Sequence, residues 1–334
     1  MPIDWPRFVQ LIREHRRFLL TTHIRPDCDA LGSCLGMAGV LERLGKQVRI
    51  VNGQATPPSL RFIDRSNRIE ALGVNVQPAE LLADGFDLLM VLDTSAWAQL
   101  GPMGDIVRAT KAKKIVLDHH ESGDDLGAEP FKNSSAEATG RLVVEAAEHL
   151  DVPLSREIAQ PLFAALATDT GWFRFASTSA ESFRVGARLM EAGAVPCDLY
   201  HDLYENNTLA RTKLIGRILG RTEAELDGKL IHTAAMLDDF HATGALPTDT
   251  EDVINLTLQV GTAQLALIMV EQPAGGFKIS FRSRCAVDCS KLAEQFDGGG
   301  HKAAAGAFIK EPFEAARAKL LEAARLAMRQ AGVA

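Results

Sequence analysis

Four short, almost unbroken apolar runs punctuate the first third of the chain: FLLTT (18–22), VRIV (48–51), DLLMVLD (87–93) and KIVLD (114–118). A strand with one wet face alternates polar and apolar residues, whereas a continuous apolar run needs cover on both faces. Segments of helical length lie between and after these runs. Leu31, Leu35, Ala38, Leu41 and Leu44 form one helical stripe that stops at Gly45, a suitable C-terminal cap. The segments 138–148 and 155–167 also read as helices, and Trp5, Phe8, Val9 and Ile12 recur at helical spacing near the start. Apolar strands alternating with helices predict an α/β fold, a parallel sheet with helices on both faces.

Beyond about residue 180 the pattern changes. Residues 180–220 read as mostly helical, with YENNTLARTK (204–213) as a connector. A strand-rich unit follows, with KLIHTAAML (229–237), AQLALIMVE (263–271) and FKISFRS (277–283). The glycine run DGGGHKAAAG (297–306) interrupts it, and an amphipathic helix (312–329) closes the chain. The expected division is a first domain at 1–195, a helical linker at 196–225 and a smaller α/β domain at 226–334. At 334 residues the chain is long enough for two cores.

Charge narrows the range of partners. The formal net charge is -7, which argues against a long polyanion held by many phosphate contacts. A small phosphate ligand needs only a local positive site. The five cysteines (Cys28, Cys34, Cys197, Cys285 and Cys289) form no disulfide framework, and Cys285 with Cys289 lacks a second pair to complete a zinc site. No run approaches a membrane span or a signal-peptide core. The expectation is a cytoplasmic protein that does not enter a membrane.

The polar residues gather in a telling place. In an open parallel sheet, ligands bind at the carboxyl ends of the strands. His23, Asp27 and Asp29 follow the first run, Asp93 ends the third, and Asp118, His119 and His120 end the fourth. Asp169 follows a helix, in the loop ATDTGWF (167–173). Taken singly, each has an ordinary explanation. Asp29 suits a helix cap, Asp93, Asp118 and Asp169 suit turns, and His119 suits a half-buried ring. Together, five carboxylates and three imidazoles at one sheet edge would repel strongly without cations. Oxygen ligands mixed with imidazole suit Mn²⁺, Mg²⁺, Co²⁺ or Zn²⁺. So many ligands suggest two ions about 3.5–4 Å apart, the arrangement that activates phosphoryl groups.

Four segments, HIRPDCDALGS (23–33), VLDTS (91–95), LDHH (117–120) and ATDTG (167–171), resemble the motifs of the DHH phosphoesterases, in the family's order. SFRSR (280–284) with GGGHKAAAG (298–306) resembles the family's DHHA1 substrate domain. The branch most similar is the nanoRNase and pAp phosphatase group. The resemblance implies that His23 and Asp27 hold one cation, Asp29, His119 and Asp169 the other, and that Asp93 bridges them. His120 would face the substrate phosphate, and Asp118 would orient His119. Mn²⁺ is the expected metal, with Mg²⁺ or Co²⁺ as substitutes. Where the branch carries Gly, this chain has Cys28, whose thiol would sit beside the metals and become reactive.

At the C-terminal end, Arg282 and Arg284 can share a strand face by period-two alternation, flanking Ser283. Gly298, Gly299 and Gly300 allow close backbone approach and an anion-binding nest, with His301 next. The resemblance implies that this group grips the far end of the substrate. The substrates it implies are short single-stranded RNA, linear dinucleotides such as pApA or pGpG, and the 3′-phosphate of pAp, with a homodimer as an allowed assembly. Alternatives are a cyclic-dinucleotide phosphodiesterase, a RecJ-type single-strand exonuclease and, in a different class, a non-catalytic nucleotide-binding module.

Overall fold

The computed structural model describes residues 3–333, which fall into two compact units that divide between Asn206 and Asn207. The division falls inside the stretch 196–225. Helix Pro196–Tyr204 belongs to the first unit and helix Leu209–Gly220 to the second. Only residues 205–208 separate these helices, so the stretch 204–213 is helical at both ends rather than a free connector.

The first unit is built on six strands: β1 (Arg17–Thr21), β2 (Gln47–Asn52), β3 (Ile69–Ala71), β4 (Leu88–Leu92), β5 (Lys113–Asp118) and β6 (Glu129–Lys132). Their order is β3-β2-β1-β4-β5-β6, and every pairing is parallel. The four apolar runs are the four inner strands. Side chains alternate between two buried faces. Phe18, Leu20, Met90 and Leu117 point into a core shared with the helices Cys28–Arg43, Thr139–His149 and Arg156–Asp169. Leu19, Leu89, Val91 and Val116 point into a second core, with Leu81, Met103 and Val107 from helices on the other face. The edge strands β3 and β6 are only three and four residues long, and β6 contains Pro130. Neither leaves a hydrophobic pattern that the sequence reveals.

Helices Cys28–Arg43 and Arg156–Asp169 meet along a seam of small residues. A Cβ at Gly32 would lie 2.3 Å from the Pro161 carbonyl oxygen, and one at Gly36 would lie 2.4 Å from Leu162 Cδ2. The helix backbones approach closely because glycine occupies these positions.

The second unit carries β7 (Glu223–Glu225), β8 (Leu230–Ala235), β9 (Leu265–Glu271), β10 (Phe277–Ser283), β11 (Gly299–His301) and β12 (Ala304–Ile309), in the order β11-β12-β10-β9-β8-β7. Only β8 and β9 run parallel; the other pairs are antiparallel. Helix Phe313–Gln330 covers one face, against Phe277, Ile279 and Phe281. Leu214 and Ile218 from helix Leu209–Gly220, with Val253 and Ile254, cover β8 and β9 on the other. The glycine run does not interrupt the sheet. It forms the edge strand β11, paired with β12. Among the described residues no helix is long and apolar enough to cross a membrane.

Candidate metal centre

Because β1, β4 and β5 are adjacent and parallel, their carboxyl ends deliver side chains to one edge. Helix Cys28–Arg43 starts there. Its cap is Asp27, which accepts the Ala30 N–H at 3.0 Å. Asp29 is therefore not the cap. It lies inside the first turn, 1 % exposed. It accepts the Thr139 and Gly140 backbone N–H groups at 2.7 and 2.8 Å and the Ser33 hydroxyl at 3.0 Å. The N-terminus of helix Thr139–His149 thus points at a buried carboxylate, which its dipole favours.

Asp93 follows β4 with a φ of 61°, left-handed for a residue other than glycine. Its backbone N–H still extends the ladder to Leu117, so the strained residue turns its carboxylate out at the edge. Thr139 Oγ1 donates to Asp93 Oδ1 at 3.0 Å. His23 Nε2 lies 3.3 Å from Asp93 Oδ2, and His119 Nε2 lies 3.5 Å from Asp93 Oδ1. His119 Nε2 is also 3.4 Å from Asp169 Oδ2 and 3.8 Å from Asp29 Oδ2. Asp169 is the last residue of helix Arg156–Asp169 rather than part of the loop after it.

Three overlapping donor groups result: His23 with Asp27 and Asp93, Asp93 with His119 and His120, and Asp29 with His119 and Asp169. Within each, the donor atoms lie within 4.8 Å of one another. Both rings are set with Nε2 toward the carboxylates, because Nδ1–H of His23 donates to the Ile24 carbonyl at 2.9 Å and Nδ1–H of His119 to that of Ala136 at 3.2 Å. Backbone carbonyls in this position fix the tautomer that a metal requires.

The electrostatics fit a cation. Burial, then the charges of Asp29, Asp27 and Asp169, push Asp93 well above the usual carboxylate range. Burial is also the first cause that raises Asp29. Asp169 is pushed up to about 8 by burial, then by Asp29 and Asp27. These acids resist ionisation because burial and their mutual repulsion disfavour the anions. The hard oxygen and imidazole donors match a divalent ion of the Mn²⁺ or Mg²⁺ kind.

Asp118 behaves differently. It is fully buried, yet its pKa is held at about 2. Burial opposes ionisation, but hydrogen bonds from the His120 side chain and backbone, then Ser95, together with the charge of Lys132, outweigh it. The expectation that Asp118 orients His119 is corrected. Asp118 Oδ1 pairs with His120 Nδ1 at 2.8 Å, whereas His119 is held by Ala136. The ring hydrogen bond to Asp118 raises the His120 pKa, and His120 is half-exposed.

Cys28 does not sit open beside the donors. It is 3 % exposed, and burial, then Asp27 and Asp29, push its thiol up to about 12. The expected reactive thiol is therefore corrected to an inert one.

In the second unit, Arg282 lies on β10, with one guanidinium Nη donating to its own strand at Phe281. Arg284 falls beyond the strand, and its Nη1 donates to the Leu258 carbonyl at 2.5 Å. The two arginines therefore do not share a strand face. Ser283 folds back, with its hydroxyl accepting the Cys285 N–H at 3.2 Å. The glycine run is strand rather than free nest. Gly298 N–H is bonded to Ala293, and Cβ atoms at Gly298 and Gly300 would lie 2.2 and 2.6 Å from carbonyl oxygens of the next strand. Gly299 and His301 remain exposed.

Comparison with known proteins agrees with this arrangement. The DHH family N-terminal domain matches residues 17–166 and the DHHA1 domain matches residues 248–330. The bifunctional oligoribonuclease and PAP phosphatase NrnA of Thermus thermophilus is 31 % identical over 315 residues, covering 94 % of this chain and 90 % of that protein. The chain belongs to the DHH family of phosphoesterases. An exopolyphosphatase-related protein from Bacteroides fragilis shares the fold, with a TM-score of 0.81 at 24 % identity over 98 % of this chain and 95 % of that one. Exonuclease RecJ bound to manganese is more distant, with a TM-score of 0.53 at 17 % identity over 97 % and 96 %.

Three residues at this DHH centre lie outside the predicted donor set. Thr139 contacts both Asp29 and Asp93. Ser95 donates to Asp118 at 2.8 Å, and Lys132 Nζ lies 3.1 Å from the same carboxylate. Ser95 at least closes the VLDTS run. Lys132 ends the short edge strand β6, so nothing in the sequence ties it to Asp118.

Proposed function

We propose that the chain is a cytoplasmic two-metal phosphoesterase that hydrolyses short RNA oligonucleotides and linear dinucleotides to mononucleotides, and removes the 3′-phosphate of pAp. One observation carries the reading: Asp93 faces both His23 and His119 and so joins the donor groups at this edge, with His120 held beside them by Asp118. The activity of the Thermus relative, an oligoribonuclease and PAP phosphatase, supports the substrate class. Five free thiols support a reducing compartment.

In this reading His23 and Asp27 hold one cation, Asp29, His119 and Asp169 hold the second, and Asp93 is shared. When bound, two divalent cations, Mn²⁺ foremost, neutralise charge on the phosphoryl oxygens and acidify a water. Asp118 keeps His120 protonated and aimed through Nδ1, which leaves Nε2 to donate to the phosphate or the departing oxygen. Lys132 and Ser95 hold Asp118 as an anion. In the second unit Arg282 and His301 bind the far end of the substrate over the glycine floor, and Ser283 and Arg284 shape that site.

Steady-state kinetics with Mn²⁺ test the reading on a dinucleotide, pAp, a cyclic dinucleotide and an RNA ladder reaching a 24-mer. The expected result is turnover of the dinucleotide and pAp, with kcat/KM falling toward the 24-mer. Long strands gain affinity along basic tracks, which a net charge of -7 disfavours. Efficiency that holds steady to the 24-mer would assign the chain to the exonucleases instead.

A further inference from the structure

One face of the second sheet is only partly covered. On β10, Phe277, Ile279 and Phe281 turn into the core, so Lys278, Ser280 and Arg282 turn the other way. The helices on that side pack over β8 and β9, and the face stays open from β10 to the edge. Strand register fixes what stands beside the polar row. Lys278 pairs with Phe308, Ser280 with Gly306 and Arg282 with Ala304. Across the next ladder Gly306 pairs with Gly299, and Ala304 with His301. Paired residues in antiparallel strands point to the same side. The open face therefore has Arg282 and His301 at one end, Lys278 and Phe308 at the other, and a floor of Gly306 and Gly299 between them.

The dimensions suit a nucleotide. Lys278 and Arg282 lie four residue steps apart on the strand, about 13 Å at strand rise. An open groove of about 540 Å³ runs along this face, with Asp297 on its rim. A Cβ at Gly299 would meet nothing within 4 Å, so the floor is flat and accessible. Phe308 is 50 % exposed. A lone exposed phenylalanine is ordinary. One that stands beside Lys278 at the end of a flat floor, with Arg282 at the other end, is placed to stack against a planar, anionic ligand.

We infer that Phe308 is the stacking surface for the nucleobase of the terminal nucleotide whose phosphate meets Arg282 and His301, with Lys278 as the cation beside it. This assignment rests on the nucleotide-hydrolase reading above. It makes Phe308 a specificity residue: it distinguishes a nucleotide from a bare sugar phosphate and tolerates every base, because each base has a stacking face.

The test compares a linear dinucleotide with the same compound lacking its terminal base, using the full chain with Mn²⁺. For the wild type, removal of the base lowers kcat/KM about tenfold, within the range of base–aromatic stacking. Phe308→Ala lowers kcat/KM on the intact dinucleotide by a similar factor and changes the abasic value less than about twofold, while Phe308→Trp keeps the preference. Equal losses on both substrates for Phe308→Ala, or no loss on either, overturn the stacking role. Unchanged melting temperatures of both variants separate this from misfolding. If the wild type cleaves both compounds equally, the subsite is wrong and the hydrolase reading stands. If it cleaves neither, the hydrolase reading itself fails.

Discussion

Asp118 Oδ1 lies 2.8 Å from His120 Nδ1 and also accepts the His120 backbone N–H at 3.1 Å. One carboxylate oxygen thus fixes both the ring and the chain that carries it. The next residue, His119, takes its orientation from Ala136 instead. The two neighbouring histidines are therefore oriented by different partners. Asp118→Asn keeps an acceptor for the backbone but removes the charge. The expected result is a loss in kcat of about a hundredfold or more, in line with general acid catalysis, with Mn²⁺ affinity unchanged by calorimetry. A large loss of Mn²⁺ binding would return Asp118 to the support of His119.

Asp93 belongs to one donor group with His23 and Asp27 and to another with His119 and His120. Asp93→Asn is expected to fold, to bind fewer than two cations and to keep less than about a tenth of the wild-type rate, since metal charge stabilisation is worth several kcal/mol. Metal analysis beside kinetics checks both halves. Retention of full stoichiometry together with most of the rate would contradict sharing.

The acids at the centre give the metal-free protein a pH dependence of definite sign. Asp169 titrates at about 8 when folded and at about 3.9 when unfolded. Between those values the folded chain binds more protons than the unfolded chain, so stability falls as pH rises. The raised Asp93 and Asp29 act in the same direction. Metal-free protein is expected to melt at a lower temperature at about pH 8 than at about pH 6, and Mn²⁺ to raise the melting temperature more at the higher pH. Scanning fluorimetry decides it. Metal-free protein that gains stability over this interval would show that these acids ionise freely.

Labelling with a thiol reagent should modify Cys197, which is exposed, and leave Cys28 untouched until denaturant is added. Burial of Cys28 and its raised pKa both act against reaction. Mass spectrometry of peptides identifies the site. Rapid labelling of Cys28 in native protein would mean that its helix start opens.

Arg282 and Arg284 should separate by assay. Arg284 donates to the Leu258 carbonyl, so Arg284→Ala is expected to lower stability by about 1 kcal/mol, the typical worth of such a bond. Arg282→Ala should leave the melting temperature alone, raise KM for nucleotides and spare a small aryl phosphodiester. Equal losses on both substrates for Arg282→Ala would place it in the chemical step.

Much of this protein is readable in its residues for a physical reason. The inner strands β1, β2, β4 and β5 are buried on two faces and must be apolar along their length, which marks them plainly. All the donors but Asp169, which ends a helix, follow those strands or open the helix after them, so the topology predicts their meeting. What escapes is whatever depends on pairing at the margins. Strand β6 brings Lys132 to Asp118, yet four residues containing a proline give no periodicity. The glycine run reads as a loop because flexibility and close strand contact call for the same residue. Phe308 carries no signal at all: alone in the sequence it is one apolar residue in a strand, and only its register opposite Lys278 gives it an open face.

The glycine seam between helices Cys28–Arg43 and Arg156–Asp169 has a consequence for how the centre tolerates change. Asp27 and Asp29 ride at the start of one helix and Asp169 at the end of the other. The interval between them is therefore gauged by backbone-to-side-chain contact at Gly32 and Gly36, deep in the apolar interior. A single methyl at Gly32 would act as a wedge, prying apart carboxylates that it never touches. Variation at the donors would destroy the centre outright, while variation along this seam would detune it by fractions of an ångström. The spacing of the carboxylates is thus a dimension kept by residues with no chemistry of their own.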